Sequence, residues 1–457
     1  MKALSALTLF SSWTLQARAS AVFAHFMVGN TESYSQSQWK EDITLARDAH
    51  IDAFALNMAH SEIFTDSIAT AFKTAQDLDF KLFFSFDYAG NGSWPKKDTI
   101  DLMNQYRDHA AYYRHKDKPL LSTFEGGDSR DWAEIRNKTD SFFVPDWSSL
   151  GPEKAANRSY IDGLFSWSAW PEGPRRMNTS ADDAYIKALD GKPYMMPVSP
   201  WFYTNMPGFK KNWVWRGDNL WFDRWQQVMD LQPEFVQIIS WNDYGESHYI
   251  GPRRDDGYEA FGRGKAPFNY AKDIPHDGWR TFLPFLIDGY KKNSSAVAVD
   301  QEDVVTWYRL HPAAACSTGG TTGNAKVQGQ KEYKPGEILE DRIFYSALLK
   351  SSADVSVKIG KQKLTGKWEN VPRGGSGLYH GSVPFKSTGD VKVTVSRDGD
   401  KVASVSGEHI TDRCPDLNGK DYQNYNAWVG TSVGTAIGLS VGMAIVPFMT
   451  LLALFIS

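Results

Sequence analysis

The chain has 457 residues, room for two folded units with substantial cores, and its 42% hydrophobic content argues against a disordered or fibrous protein. Basic residues number 50 and acidic residues 54, giving a formal charge of -4 with no block of like charge, which argues against a nucleic-acid partner. Aromatic residues make up 14%, including 17 Trp and 20 Tyr, more than a core requires and suited to stacking on sugar rings.

At the N-terminus, Lys2, the apolar run 3–9 and Ala17-Arg18-Ala19 read as a signal peptide over 1–19. Five N-x-S/T sequons, at Asn91, Asn137, Asn157, Asn178 and Asn293, fit a secreted glycoprotein. From residue 20 to 293, short apolar runs alternate with segments of helical periodicity. The predicted strands are 22–28, 53–58, 82–87, 120–125, 142–146, 164–167, 194–198 and 235–241. The predicted helices include 38–49, 67–78, 99–113, 181–189, 220–231 and 279–291. Eight βα repeats predict an α/β fold, a (β/α)8 TIM-type barrel. A doubly wound sheet is the alternative, but no G-x-G-x-x-G opens a helix.

Beyond Asn293 the pattern changes to short alternating stretches at 304–310, 343–348, 355–359, 391–395 and 402–405, broken by turn residues. A small β-sandwich over 300–415 is expected. Cys316 and Cys414, the two cysteines of the chain, bracket it and are expected to pair in an oxidising compartment. A linker over 416–430 precedes an uncharged tail, 431–457. That tail is long enough to span a bilayer, and its G-x-x-x-G steps suit helix pairing. It also ends in an apolar run with no basic residue after it, the layout of a GPI attachment signal, with Asn424, Asn426 and Gly430 as candidate anchor sites.

In a barrel of this kind, chemistry sits where strands end. The predicted strand ends carry acids beside aromatics: Asp87 and Tyr88, Phe124 and Glu125, Asp146 and Trp147, and the run Trp241-Asn242-Asp243-Tyr244-Gly245-Glu246-Ser247-His248. Glycoside cleavage needs such carboxyls, one to protonate the leaving oxygen and one to activate water or attack. Asp87, Glu125 and Asp146 taken singly are equally expected as caps or ion-pair partners. His25, Asn57, Trp167, Trp170, Trp201 and Tyr203 fall at or beyond strand ends, where they are candidates to contact sugar, although a Trp in a barrel is more often core. The histidines show no clustered ligand spacing, so no metal site is expected. No nucleophile elbow or P-loop motif is present.

Residues 24–30 (AHFMVGN), 51–57 (IDAFALN), 84–87 (FSFD) and 240–247 (SWNDYGES) resemble the fungal α-1,3-glucanases, or mutanases, of glycoside hydrolase family 71, in order and across the whole predicted barrel. The resemblance implies endo-hydrolysis of α-1,3-glucan by an inverting mechanism without cofactor. Asp243 and Glu246 are then the catalytic pair and Asp87 a further acid, with Trp241, Asn242, Tyr244 and His248 around them. Glu246, the longer side chain, is expected as general acid and Asp243 as general base, with the reverse open. A catalytically silent glucan-binding wall protein, or an enzyme acting on another α-glucan by hydrolysis or transfer, are the alternatives. The expected state is a secreted monomer held at the cell wall or membrane by its tail, with polysaccharide as its partner.

Overall fold

A computed structural model describes residues 20–294, 297–414 and 420–432. The segment read as a signal peptide, and residues 433–457 of the tail, lie outside the described residues. Among the described residues no helix is long and apolar enough to cross a membrane.

The first half is organised on eight parallel strands: β1 (Ala21–Met27), β2 (Ala53–Ala59), β3 (Lys81–Asp87), β4 (Lys118–Phe124), β5 (Phe142–Phe143), β6 (Leu164–Phe165), β7 (Tyr194–Val198) and β8 (Phe235–Ile238). They pair in the order β5-β4-β3-β2-β1-β8-β7-β6. Isolated parallel bridges also join Phe124 to Asp146 and Asp146 to Phe165. Strands such as β1 and β2 are buried along almost their whole length, which is why their sequences are continuous apolar runs. Helices Gln36–Asp48, Thr65–Asp77, Lys96–Tyr106, Ser180–Leu189, Leu220–Leu231 and Leu283–Lys292 fall between or after the strands.

Several boundaries differ from the periodicity for local reasons. The helix predicted to reach residue 113 ends at Tyr106, because Ala111 and Tyr113 bond to both backbone groups of Leu82 at the edge of β3. The last predicted helix splits into a turn, Asp277–Arg280, and a helix that starts at Leu283 and so takes Pro284 in its first turn, where a missing N–H costs nothing. Between β7 and β8 the chain inserts an antiparallel hairpin, Tyr203–Met206 with Lys211–Val214, turning at Pro207–Phe209.

The C-terminal region is two antiparallel sheets. One runs in the order Trp368–Asn370, Gly377–Pro384, Arg342–Leu349, Asp303–Arg309, Ala427–Thr431, and the other Gln362–Thr365, Asp354–Ile359, Gly389–Arg397, Asp400–Ile410. Val304, Tyr345, Val357, Val393 and Trp428 from both sheets share one buried cluster. Alternate residues of the first sheet, including Val305, Trp307, Phe344 and Val429, join the core of the parallel-strand unit instead. Trp307 Nε1 donates to the Asp218 carbonyl at 2.7 Å.

The stretch read as a linker is folded where it is described. Ala427–Thr431 is the edge strand of the first sheet, paired with Asp303–Arg309, and Asn426 is buried with its side chain on Tyr270 and Tyr249. Asn424, Asn426 and Gly430, the candidate anchor sites, therefore lie within the folded unit. All five sequon asparagines are exposed.

Cys316 and Cys414 are joined by a disulfide that spans 98 residues, with Cα atoms 6.1 Å apart. Closing a loop of this size stabilises a fold by up to ~4–5 kcal/mol on the chain-entropy argument. Replacing both cysteines by serine is expected to lower the melting temperature in calorimetry, and an unchanged transition would show that the loop is held by packing alone.

Candidate active site

β8 ends at Ile238, and the chain after it folds into a tight loop whose own polar groups order it. Ser240 Oγ accepts from Asp243 N at 2.9 Å and lies 2.8 Å from His248 Nδ1. Asp243 Oδ1 accepts from Glu246 N at 3.0 Å, and Glu246 Oε2 lies 3.1 Å from His248 Nε2. An oxygen of Asp243, an oxygen of Glu246 and a ring nitrogen of His248 all fall within 4.8 Å of one another.

The two carboxyls are not equivalent. Glu246 Oε1 is 2.6 Å from Nζ of Lys211, which reaches in from the hairpin. Burial alone pushes Glu246 up, but Lys211 and His248 outweigh it and hold the carboxyl well below the usual carboxylate range. Burial and the adjacent Glu246 charge push Asp243 up. Lys211 is in turn raised by Glu246 first, and also by Asp243 and Asp87. The two carboxyls are thus held in opposite directions, Glu246 down and Asp243 up, and unlike surroundings for two acids are what glycoside cleavage uses. Side-chain length pointed to Glu246 as general acid with the reverse open, and the ammonium on the longer side chain bears on that choice.

The other predicted acids divide. Asp87 ends β3, with Oδ1 accepting from Ala89 N and Gly90 N at 2.7 and 2.8 Å; burial raises it against those two bonds. Glu125 lines a cleft and accepts from Ser149 N at 3.0 Å. Asp146 is fully buried, and burial raises it well above its ordinary value. It reaches the cleft only through Ser148, whose hydroxyl and amide both donate to it and whose Oγ accepts from Trp167 N at 2.8 Å.

That cleft, about 760 Å³, is lined by Trp167, Trp170 and Trp215 together with Gln328 and Gln330; neither Asp243 nor Glu246 is part of its wall. Trp170 is the bridge: its ring lies 5.5 Å from His248 on one hand and stacks on Trp215 at 5.0 Å on the other. Trp167 meets His25 edge-on at 4.9 Å. Burial and the neighbouring His248 push His25 down to about 3, so its ring is neutral, and Gln237 Nε2 lies 3.2 Å from its Nδ1.

The remaining candidates support the site from behind. Asn242 brackets β1, accepting from Met27 N at 2.7 Å and donating to Met27 O at 3.1 Å. Asn57 donates to Ser85 Oγ at 3.2 Å between β2 and β3. Trp201, Tyr203, Trp241 and Tyr244 are each almost wholly buried and are core, not sugar platforms. Trp201 is fixed at both ends, donating to Tyr425 O at 3.0 Å and accepting from Trp170 at its carbonyl. Lys211, Trp215, Ser240 and Gln330 are site residues that strand-end reasoning misses. For Lys211 and Trp215 the one signal is the Y-T-N-M-P-G-F-K-K-N-W-V-W run of residues 203–215, two alternating stretches about a Pro-Gly turn, while Ser240 opens the 240–247 motif and Gln330 has no local signal.

This division predicts unequal costs. Trp201→Ala is expected to destabilise by ~3–5 kcal/mol in denaturant unfolding, as truncation of a buried Trp does. Trp167→Ala, at the half-buried cleft wall, is expected to cost much less; equal losses would refute the distinction.

The model of glycosyl hydrolase family 71 matches residues 18–440. The chain is 36% identical to a mutanase of Penicillium rubens over 94% of this chain and 93% of that protein. It is 33% identical to a glucan endo-1,3-alpha-glucosidase of Schizosaccharomyces pombe over 90% and 94%, and 28% identical to an ascus wall endo-1,3-alpha-glucanase of the same yeast over 65% and 73%. Among solved structures, a GH99 endo-alpha-mannosidase of Bacteroides thetaiotaomicron has a TM-score of 0.44 and 17% identity, over 60% of this chain and 98% of that one. The chain belongs to glycosyl hydrolase family 71 and is a glycoside hydrolase.

Proposed function

We propose that the protein is an endo-hydrolase of α-1,3-glucosidic bonds in fungal cell-wall glucan or mutan. The observation that carries this reading is the close pair of half-buried Asp243 and buried Glu246, with Lys211 in ion-pair range of Glu246, and Trp170 leading from their loop to a tryptophan-walled cleft. The relatives named mutanase and glucan endo-1,3-alpha-glucosidase support the substrate class.

In this mechanism Asp243 delivers its proton to the glycosidic oxygen and Glu246, ionised, activates the attacking water. His248 and Ser240 fix the orientation of the pair, and neutral His25 packs behind Trp167 without adding charge. Net inversion follows from the family resemblance. A specific observation favours a second reading: oxygens of the pair within 4.8 Å are nearer the ~5 Å separation of retaining enzymes than the ~6.5–9.5 Å of inverting ones.

The supporting architecture is read as a closed (β/α)8 barrel, because the bridges at Asp146 link β4 to β6 across the short β5. The two C-terminal sheets, sharing one core, are read as a sandwich. The signal-like N-terminus and five exposed sequons support a secreted, glycosylated monomer, and the uncharged residues after Ser432 support attachment to membrane or wall.

Incubation with insoluble α-1,3-glucan, followed by NMR of the first product, is expected to give the β-anomer; an α-anomer would assign retention. Asp243→Asn and Glu246→Gln are each expected to lower kcat by about 10²- to 10⁴-fold. An α-1,3-oligoglucosyl fluoride, which needs no proton donor, is expected to restore turnover to Asp243→Asn and not to Glu246→Gln. The opposite pattern would exchange the two roles, and sugar binding without release by the wild type would refute the enzyme reading.

A further inference from the structure

The hairpin that carries Lys211 is not held by the parallel-strand unit alone. Its second strand, Lys211–Val214, pairs on its far side with Thr322–Gly323 of the C-terminal region, Trp213 opposite Thr322 and Val214 opposite Gly323. Thr321 Oγ1 donates to Asn212 Oδ1 at 2.6 Å, and Asn212 Nδ2 donates to Gly319 O at 3.0 Å. Asn212 adjoins Lys211 in sequence, so both bonds of its amide to the C-terminal region restrain the backbone that aims Nζ at Glu246.

The same segment reaches the cleft wall. Trp215 Nε1 donates to Gln330 Oε1 at 2.7 Å, and that oxygen also accepts from Ala325 N at 2.9 Å. Asn324 Oδ1 accepts from Gly173 N at 3.1 Å, three residues beyond Trp170. Phe202, Trp213, Trp215 and Ala325 form a small core of their own against Trp170. One run of chain therefore touches the strand of the lysine at one end and the tryptophan stack at the other.

We propose that residues 317–330 of the C-terminal region are a positioning element of the active site, holding Lys211 on Glu246 through Thr321 and Asn212, and Trp215 on Trp170 through Gln330. The region is on this account part of the catalytic unit and not a separable glucan-binding appendage. The inference rests on the catalytic reading given above for its consequence in turnover, and on geometry alone for the linkage from Thr321 to Glu246.

Glu246 faces Asp243 and His248 from its own loop, His25 from β1 and Lys211 from the hairpin. Of these, the link from Thr321 acts on Lys211. An opposite charge at this range lowers a carboxyl pKa, so loosening Lys211 raises it, and the acidic limb of the rate profile moves to higher pH.

The test uses the full chain with 13C-labelled Glu carboxyls, the Glu246 signal assigned by its loss in Glu246→Gln. Lys211→Met is expected to move the Glu246 titration up by about one to two pH units. Thr321→Val is expected to move it in the same direction by less, Thr321→Ser to leave it at the wild-type position, and Lys211→Met with Thr321→Val to match Lys211→Met alone. The acidic limb of kcat/KM on α-1,3-glucan is expected to follow the same order, and Gln330→Leu to raise KM with kcat little changed. Loss of activity or melting temperature in Thr321→Val with the Glu246 titration unmoved would overturn the proposal, as would additive shifts in the double variant. If Thr321→Val fails to fold, Asn212→Ala removes the same link from the hairpin side and is read identically. A wild type that releases no sugar would sink the functional reading, while the titration would still decide the linkage.

Discussion

The contact between Lys211 and Glu246 sets the chemistry of this site. Two carboxyls buried within a few ångströms of each other cannot both ionise cheaply, and without a third charge nothing would decide which of them holds the proton. The ammonium, 2.6 Å from Glu246, stabilises the ionised form of that carboxyl most, with His248 acting in the same direction, and influences Asp243 less. At Asp243, burial and the neighbouring Glu246 charge outweigh His248 and Lys211, and the carboxyl is raised instead. In the proposed mechanism, electrostatic asymmetry and not side-chain length assigns the roles.

Much of the surrounding structure serves to keep that geometry fixed. The loop after β8 is tied to β1 by Asn242 and ordered internally by Ser240 and His248. Behind it stand aromatic residues whose polar atoms are spent on backbone partners, as in Trp201 and Tyr244. Asp146 is likewise a support, a buried acid that holds Ser148 and through it the backbone of Trp167. The abundance of tryptophan that first suggests sugar stacking is therefore mostly a packing device, with Trp167 and Trp170 at the cleft as the part that meets solvent.

The fold was legible where the chain repeats itself. Long apolar runs such as 53–58 and amphipathic segments such as 220–231 identify strands and helices because parallel strands covered on both faces must be apolar throughout. Short elements were legible in place but not in extent: β5 and β6 have two residues each inside predicted strands of 142–146 and 164–167, and the strand Ala427–Thr431 lay in a stretch whose composition looked like a linker. The acid pair was legible from its spacing and setting after β8, but the charge that distinguishes its members was not. Lys211 lies 35 residues upstream of Glu246 on an inserted hairpin, and a contact of that kind leaves no local pattern. Trp215 and Gln330, 115 residues apart, meet only because the C-terminal region folds back over the hairpin.

The central claim concerns where protons sit, so the most direct measurement is neutron diffraction from deuterium-exchanged crystals of the substrate-free protein at the pH of maximal activity. Deuterium on an Asp243 carboxyl oxygen, three deuterons on Lys211 Nζ and none on Glu246 is the predicted result. Deuterium on Glu246 with a bare Asp243 would contradict the account and return the general-acid role to the glutamate.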